Sequence, residues 1–590
     1  MSSDILANLN PEQHRAVTAP EESVLILAGA GSGKTRVLTT RIAWLLEHNL
    51  ATTGEILAVT FTNKAAKEML TRLEGMIPYD LRRMWVGTFH GLCNRILRIH
   101  AQEAGLPKTF QILDSGDQLS LVKRLMKAAN IDVEKTDPKQ VVNFINWCKE
   151  NGLRSSGVSA KDASDLRLGL YQAYERECQK QGVVDFAELL LRCYELLTRN
   201  DLVRAHYQKR FRHILVDEFQ DTNVLQYRWL KILAGEKLGP NGTSLNAVFA
   251  VGDDDQSIYA FRGANIGNMA DFLKDFHVEK PIKLEQNYRS TKTILQAANE
   301  VIEHNLNRKD KTLWTENESG DKITYYRADN AADEGYFVIK NIQKEIREKH
   351  RSYNDFAILY RTNAQSRTLE ETFVKANIPY KLVGAHRFYD RKEIMDILAY
   401  LRLVANPDDS MSFARVVNEP KRGIGATSIT KLQNFADMHG ISLYEAGKSV
   451  DLTGIPARTA KKITEFCDML KLFHQVQKKA TITEMTEQIL SITGYQKALN
   501  DANTLEAKGR LENLEEFLSV TKEFDENWDP EDEESDPFTD FLADLALVSD
   551  QDGVDQNDDV VTLMTLHAAK GLEFPVVFLI GMEEGIFPLG

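Results

Sequence analysis

The 590 residues carry 72 Lys and Arg against 86 Asp and Glu, a formal charge of −14, with 43% hydrophobic and 27% charged residues. That composition excludes collagen, wholesale disorder and a disulfide scaffold, and the length allows about four domains of ordinary size. The acidic balance does not exclude a nucleic-acid partner, because sixteen acidic residues and no Lys or Arg fall between positions 523 and 559. The rest of the chain carries 72 basic against 70 acidic residues, so bulk charge says little about any one channel. No apolar run approaches the roughly 18 residues of a membrane span, and the opening MSSDILANLNPEQ lacks a basic segment followed by an apolar one. Cys93, Cys148, Cys178, Cys193 and Cys467 stand far apart with no metal-ligand spacing, the pattern of buried thiols in a reducing cytoplasm.

In chain order, short β-branched and aromatic runs alternate with helical periodicity. The first set is VLILAGA (24–30), ILAVTFT (56–62), MWVGTFH (84–90), HILVDEF (213–219) and AVFAVGDD (247–254). Runs this continuously apolar are strands buried on both faces, which predicts a parallel α/β sheet. Between Thr88 and His213 amphipathic helices dominate, as over 118–129 and 184–197. The second set is PIKLEQNY (281–288), KITYYRA (322–328), DFAILYR (355–361), VVTLMTL (560–566) and FPVVFLIGM (574–582), interrupted by a helical block over about 391–518. The pattern predicts an α/β fold of two cores, each with a mainly helical insertion. The first core takes 1–113 and 191–282 around an insertion at 114–190. The second takes 283–383 and 554–590 around an insertion at 384–553. The acidic stretch 523–559, with Pro530, Pro537 and Gly553, reads as a solvated connection in which the prolines oppose a continuous helix.

The sharpest local signal is the run Ala28, Gly29, Ala30, Gly31, Ser32, Gly33, Lys34, Thr35, set between a strand and a helical segment. Glycines there let backbone N–H groups turn inward around phosphates, and the helix N-terminus adds its dipole. Lys34 can reach the β and γ phosphates and the Thr35 hydroxyl can ligate Mg²⁺. Ala28 departs from the strict pattern, which wants glycine in the first position. The partner motif is an apolar strand ending in Asp217 and Glu218, the first placed to hold Mg²⁺ and the second to polarise water. Together the two motifs read as a site that hydrolyses ATP. Downstream, Gln256 at a strand end can sense the γ-phosphate. Tyr259 and Phe261 alternate with Arg262, which fits base stacking with phosphate contact; the alternative is that these aromatics pack in the core.

An ordered series of motifs then carries a resemblance over 1–588: NPEQ (10–13), AGAGSGKT (28–35), AVTFTNKAA (58–66), GTFHG (87–91), VDF (184–186), VDEFQDTN (216–223), VGDDDQSIY (251–259), LEQNYRS (284–290) and VTLMTLHAAKGLE (561–573). The chain resembles the bacterial DNA helicase II group, the UvrD, PcrA and Rep helicases of superfamily 1A. The resemblance implies two RecA-like P-loop cores, with ATP and Mg²⁺ bound between them. It implies that Gln13 reads the adenine edge, Tyr288 stacks on the adenine, Arg36 lies along the nucleotide, Arg289 reaches the γ-phosphate from the second core, and Glu573 contacts the ribose. By the same match, Phe61, Thr62, Asn63, Thr88, His90, Phe186, Tyr259, Phe261, Arg262 and Asn363 line a single-strand path, Phe261 standing where most relatives have Trp. Arg422, Gly423 and Gly425 in the second insertion resemble a duplex-backbone contact, with a plain loop as the alternative.

The implied activity is ATP-dependent 3′-to-5′ translocation on single-stranded DNA, unwinding duplexes in excision and mismatch repair. Implied partners are single-strand/duplex junctions and repair proteins, for a cytoplasmic, nucleoid-associated monomer or DNA-induced dimer. The resemblance also implies a further arginine and further strands beyond Gly590, so that the chain reads as truncated. Two other readings stay open: a nucleotide-gated DNA-binding fragment without full turnover, and a helicase subunit of a recombination helicase–nuclease complex. A small-molecule P-loop kinase does not account for the aromatic–arginine series.

Overall fold

A computed structural model of the chain describes residues 5–159, 164–236, 245–305, 311–384, 388–529, 535–547 and 559–588. The first half yields strands β1 (Val24–Ala28), β2 (Ile56–Thr60), β3 (Trp85–Thr88), β4 (Gln111–Leu113), β5 (Val183–Asp185), β6 (His213–Val216), β7 (Ala247–Gly252) and β8 (Ile282–Leu284). Six of them form one parallel sheet in the order β3-β2-β6-β7-β1-β8. Successive side chains alternate between its faces. Leu25, Leu27, Ile214 and Val216 enter one core cluster, while Ile26, Ala28, Leu215 and Val251 enter another. Because β6, β7 and β1 are neighbours, their C-terminal ends open side by side, the position at which parallel sheets bind ligands.

The segment at 281–288 belongs to this sheet and not to the second set. Ile26 pairs with Ile282 and Ala28 with Leu284, which seats Ile282 and Leu284 in the same cluster as Ile26. An apolar run states that a strand is buried but not which strand it pairs with. The run at 322–328 makes no strand: Ile323 and Tyr325 are exposed, and Tyr326 stacks on Phe337 at 4.1 Å instead. Its period-2 alternation imitates a strand, but among the described residues it has no ladder partner.

The insertion between β3 and β6 is helical, as the periodicity predicts, with Leu121, Met126, Val141, Ile145, Tyr171 and Tyr174 in its core. At its base β4 and β5 pair in parallel, a two-stranded element too short to show in the sequence. The second sheet comprises β9 (Phe356–Tyr360), β10 (Tyr380–Leu382), β11 (Val561–Thr565) and β12 (Val576–Leu579), all parallel in the order β10-β11-β9-β12. Between β10 and β11 lies the second helical insertion, from Lys392–Ala405 to Pro537–Ala546, around its own core.

The acidic stretch departs from a purely solvated connection. Helix Leu505–Asn527 runs into it, and helix Pro537–Ala546 starts within it. Asp536 caps that helix by accepting from Thr539 N at 2.9 Å, and Pro537 sits in the first turn, where a missing N–H costs nothing. Phe538 and Phe541, three residues apart, are buried in the insertion core, and Ala543 reaches the first core. Residues 530–534 and 548–558, including Glu531, Asp532, Glu533 and Glu534, lie outside the described residues. All five cysteines are buried. Among the described residues no helix is long and apolar enough to cross a membrane.

Candidate functional site

The glycine-rich turn leaves β1 and feeds helix Lys34–Glu47, which starts on Gly33 at φ +85°. Gly31 stands at φ +64°, and a Cβ there would lie 2.5 Å from Asn287 Nδ2, so both backbone and space require glycine. The carbonyls of the turn are tied from outside. Gln13 Nε2 donates to Ser32 O at 2.9 Å, Asn287 Nδ2 to Ala30 O at 2.6 Å, and Tyr288 N to Gly31 O at 2.9 Å. A turn fastened this way, opening a helix, has the form of an anion cradle.

Lys34 projects from the cradle to the acids at the end of β6. Its Nζ lies 3.1 Å from Glu218 Oε1 and 3.4 Å from Gln256 Oε1. Burial alone would lower the Lys34 ammonium, but Glu218, Asp217 and Asp253 outweigh it and raise the group above its ordinary value. Burial would likewise raise Glu218, yet Lys34 and Lys570 hold its carboxyl below the usual range. Asp217 has the opposite balance: burial, with the Glu218 charge beside it, pushes it up to about 7. The Asp217 carboxyl and the Thr35 hydroxyl both line the cleft, and hard oxygen donors of this kind fit a divalent cation.

The residues expected around the base and sugar differ in exposure, with Gln13 buried and Arg36 and Tyr288 open. Gln13 is buried, donating to Ser32 O while its Oε1 accepts Asn10 N at 3.1 Å. Tyr288 is half-exposed and its hydroxyl accepts Asn10 Nδ2 at 2.8 Å. Arg36 is exposed. Arg289 lies five positions beyond β8, and its Nε pairs with Glu573 at 2.5 Å. These two groups therefore face each other.

A cleft of about 1380 Å³ runs from this site between the two cores. Thr35, Asp217 and Glu218 line one end, and Phe61, Thr62, Thr88, His90, Phe186, Tyr259, Phe261, Arg262 and Asn363 line the rest. Thr62 and Thr88 cap the helices that follow them, accepting from Ala65 N and Gly91 N at 3.1 Å. Burial lowers His90 to about 4, so its ring is neutral, and it meets Phe186 edge-on at 6.1 Å. Asn363, after β9, donates to Gly384 O at 3.4 Å. Tyr259 and Phe261 divide: Tyr259 is 9% exposed with its hydroxyl donating to His567 O at 3.0 Å, whereas Phe261 is 65% exposed. Arg262 lies over both rings.

Two expected contacts are engaged within the protein. Asn63 donates its amide to Leu547 O at 3.0 Å, at the end of helix Pro537–Ala546. Arg422 donates to the carbonyls of Val416 at 3.0 Å and Glu419 at 3.1 Å and to Tyr400 Oη at 2.7 Å, so the guanidinium braces the turn from inside and does not face outward. Gly423, at φ +74°, and Gly425, which precedes helix Ala426–His439, leave only backbone at that surface.

Three residues of the site escaped the sequence reasoning. Lys570, three positions after His567, donates to Asp221 Oδ2 and to Gln256 O at 2.7 Å, joining the second core to the acids of the first. Its place inside a quoted motif was the available signal. Trp147 lines the cleft from the first insertion, and Lys311 pairs with Asp253, Asp254 and Asp255; neither lies in any motif.

Two family profiles cover the chain: a UvrD/REP helicase N-terminal domain matches residues 9–277 and a UvrD-like helicase C-terminal domain matches 282–589. The ATP-dependent DNA helicase PcrA of Leuconostoc citreum is 48% identical over 596 aligned positions, covering 100% of this chain and 78% of the relative. The proteins of the same name from Bacillus subtilis and Staphylococcus epidermidis are 47% and 45% identical, covering 100% and 99% of this chain and 79% of each relative. With paired α/β cores, a fastened phosphate cradle and these matches together, the chain belongs to the UvrD/PcrA-like helicases of superfamily 1A, a family of ATP-dependent DNA helicases.

Proposed function

We propose that this protein hydrolyses ATP to move 3′-to-5′ along single-stranded DNA and unwinds the duplex ahead of it, in cytoplasmic DNA repair of the excision and mismatch type. The observation that carries the reading is the shared cleft: the acids beside the phosphate cradle and the aromatic–arginine series line one continuous groove between the cores. In this reading Lys34 leaves Glu218 for the phosphates of ATP, and Glu218 is freed to orient and polarise the attacking water. Thr35 and Asp217 would hold Mg²⁺, which supplies charge neutralisation on the phosphate oxygens when bound. Lys570 and the Tyr259–His567 contact join the ATP end of the cleft to the aromatic end, so opening or closing of the cores reaches both. The polarity and the repair setting rest on family membership.

Strand displacement on duplexes with a 3′ or a 5′ single-stranded tail tests the polarity, and ATP hydrolysis with and without single-stranded DNA tests the coupling. Unwinding from the 3′ tail with DNA-stimulated hydrolysis is the expected result. Preference for the 5′ tail, or hydrolysis indifferent to DNA, overturns it.

The exposure difference between the two aromatics gives a separate expectation. Phe261→Ala removes an open ring and weakens single-strand binding by about 1–3 kcal/mol, the value of one base–aromatic stack. Tyr259→Phe, which deletes only the hydroxyl bonded to His567 O, leaves single-strand affinity near the parent and lowers DNA stimulation of hydrolysis. Fluorescence anisotropy with an oligothymidine reads the first and initial rates the second. Parent-like binding by Phe261→Ala removes that ring from the DNA path.

A further inference from the structure

We propose that Lys311 is a positioning residue for Gln256: by holding Asp253 it fixes the amide that faces Lys34. Lys311 is 1% exposed at its side chain, and its ammonium meets Asp253 Oδ1, Asp254 Oδ1 at 3.3 Å and Asp255 Oδ2 at 3.1 Å. These three consecutive carboxylates follow β7 and lie within 4.8 Å of one another. Asp253 is the member that transmits the position. Its Oδ2 accepts Gln256 Nε2 at 2.5 Å, which turns Gln256 Oε1 toward Lys34 Nζ at 3.4 Å. Its backbone N–H donates to Gln220 Oε1 at 2.9 Å, and Gln220 Nε2 donates to Glu218 Oε2 at 2.6 Å. One ammonium thus stands behind the Gln256 amide that faces Lys34.

The lysine is itself registered to the phosphate cradle. Thr312 N donates to Glu285 Oε1 at 2.9 Å, Trp314 N to Glu285 O at 3.1 Å, and Asn287 N to Trp314 O at 2.8 Å. Asn287 is the residue whose amide ties Ala30 O, and Leu313 packs where Gly29 lacks a Cβ. The segment that carries Lys311 is therefore fastened both to the loop that would hold ATP and, through the lysine, to the acids that follow β7. A simple counter-ion for the acidic triplet would need the charge alone. A positioning residue needs the charge at this place, acting through Gln256.

The inference rests on the assignment of Gln256 to the γ-phosphate, and a mutant cycle separates the two. DNA-stimulated ATP hydrolysis is measured for Lys311→Met, Gln256→Ala and the double variant, with kcat and KM resolved and thermal melting as the folding control. Lys311→Met is expected to lower kcat by about tenfold or more with KM for ATP within about threefold, and the double variant to fall no lower than Gln256→Ala. Lys311→Arg, which keeps the charge, should recover part of the loss. Parent-like kcat in Lys311→Met, or losses that multiply in the double variant, overturns the inference. Parent-like kcat in Gln256→Ala overturns the assignment of Gln256 itself. If Lys311→Met does not fold, it is made with Asp254→Asn and Asp255→Asn and compared with that Asn pair alone. A persisting loss of kcat there supports positioning, and full recovery shows that Lys311 only neutralises the triplet.

Discussion

Glu218→Gln should bind ATP much as the parent does and lose DNA-stimulated hydrolysis by about 10²–10⁴-fold, the usual contribution of a positioned general base. The side chain is isosteric, and the backbone contacts that set its place survive the change. Glu218 sits at φ +48°, a left-handed conformation that a non-glycine residue adopts only when its surroundings hold it there. Its N–H donates to Asp217 Oδ1 at 2.9 Å and its carbonyl accepts Asp221 N at 2.9 Å, both through backbone atoms that the substitution leaves alone. The negative charge goes, and with it the polarisation of water, while one of the two oxygens that accept from Lys34 and Gln220 becomes an amide nitrogen. Lys34→Ala should abolish turnover at least as completely, because it removes the cation that neutralises the phosphates. It is the less clean variant, since Lys34 is 12% exposed at its side chain and not on an open loop. Without it Glu218 keeps the Gln220 amide at 2.6 Å and, as a cation, Lys570 3.9 Å away, so a lower melting temperature should accompany the lost activity. ATP titration, initial rates and thermal melting distinguish these outcomes. Hydrolysis by Glu218→Gln within tenfold of the parent would remove Glu218 from the water-polarising role.

What the sequence made legible follows the range over which each feature is encoded. The phosphate cradle and the two acids are local: glycine spacing around Lys34 and an apolar run ending in Asp217 and Glu218 are written within a few residues. Strands β1, β2, β6, β7, β9 and β11 were legible because both faces are buried and the runs are continuously apolar. Pairing is not local, so 281–288 read as part of the second set although Ile282 joins Ile26 in the first sheet. Three-residue strands such as β10, between Pro379 and Val383, are below the length at which periodicity shows. In the acidic stretch, charge density masked the Phe538 and Phe541 stripe, and Pro537 read as a breaker where it starts a helix. Lone lysines carry least signal of all. Lys311 and Lys149 are each decided by carboxylates 36 to 58 residues away in sequence.

Lys149→Met should destabilise the protein by about 3–5 kcal/mol, the cost of leaving buried acids without their counter-ion. Lys149 is 2% exposed at its side chain, with Nζ 2.5 Å from Asp185 Oδ2 and 3.0 Å from Glu188 Oε2. Asp185 also accepts Tyr174 Oη at 2.7 Å and caps helix Phe186–Arg199 through Glu188 N at 2.7 Å, so the pair fixes the start of the helix that presents Phe186 to the cleft. Glu188 retains Arg154 and Arg192, each at 2.8 Å, which places the loss mainly on Asp185. Burial would raise Glu188, but Lys149, Arg154 and Arg192 outweigh it and hold the carboxyl well below its ordinary 4.5. Its contribution is therefore present above about pH 4.5 and is lost as acid titrates it. Burial would lower Lys149, but Asp185 and Glu188 raise it, so its contribution is complete below its ordinary 10.5 and is lost only as pH rises beyond. Through the neutral range neither Glu188 nor Lys149 changes charge in the parent, whereas burial and the Asp185 charge push Glu150 up to about 7. Lys149→Met combined with Asp185→Asn should recover much of the loss, since the buried charge goes with its partner. Urea unfolding at pH 8 reads the parent and both variants, and a Lys149→Met midpoint equal to the parent would show that the network does not stabilise the fold.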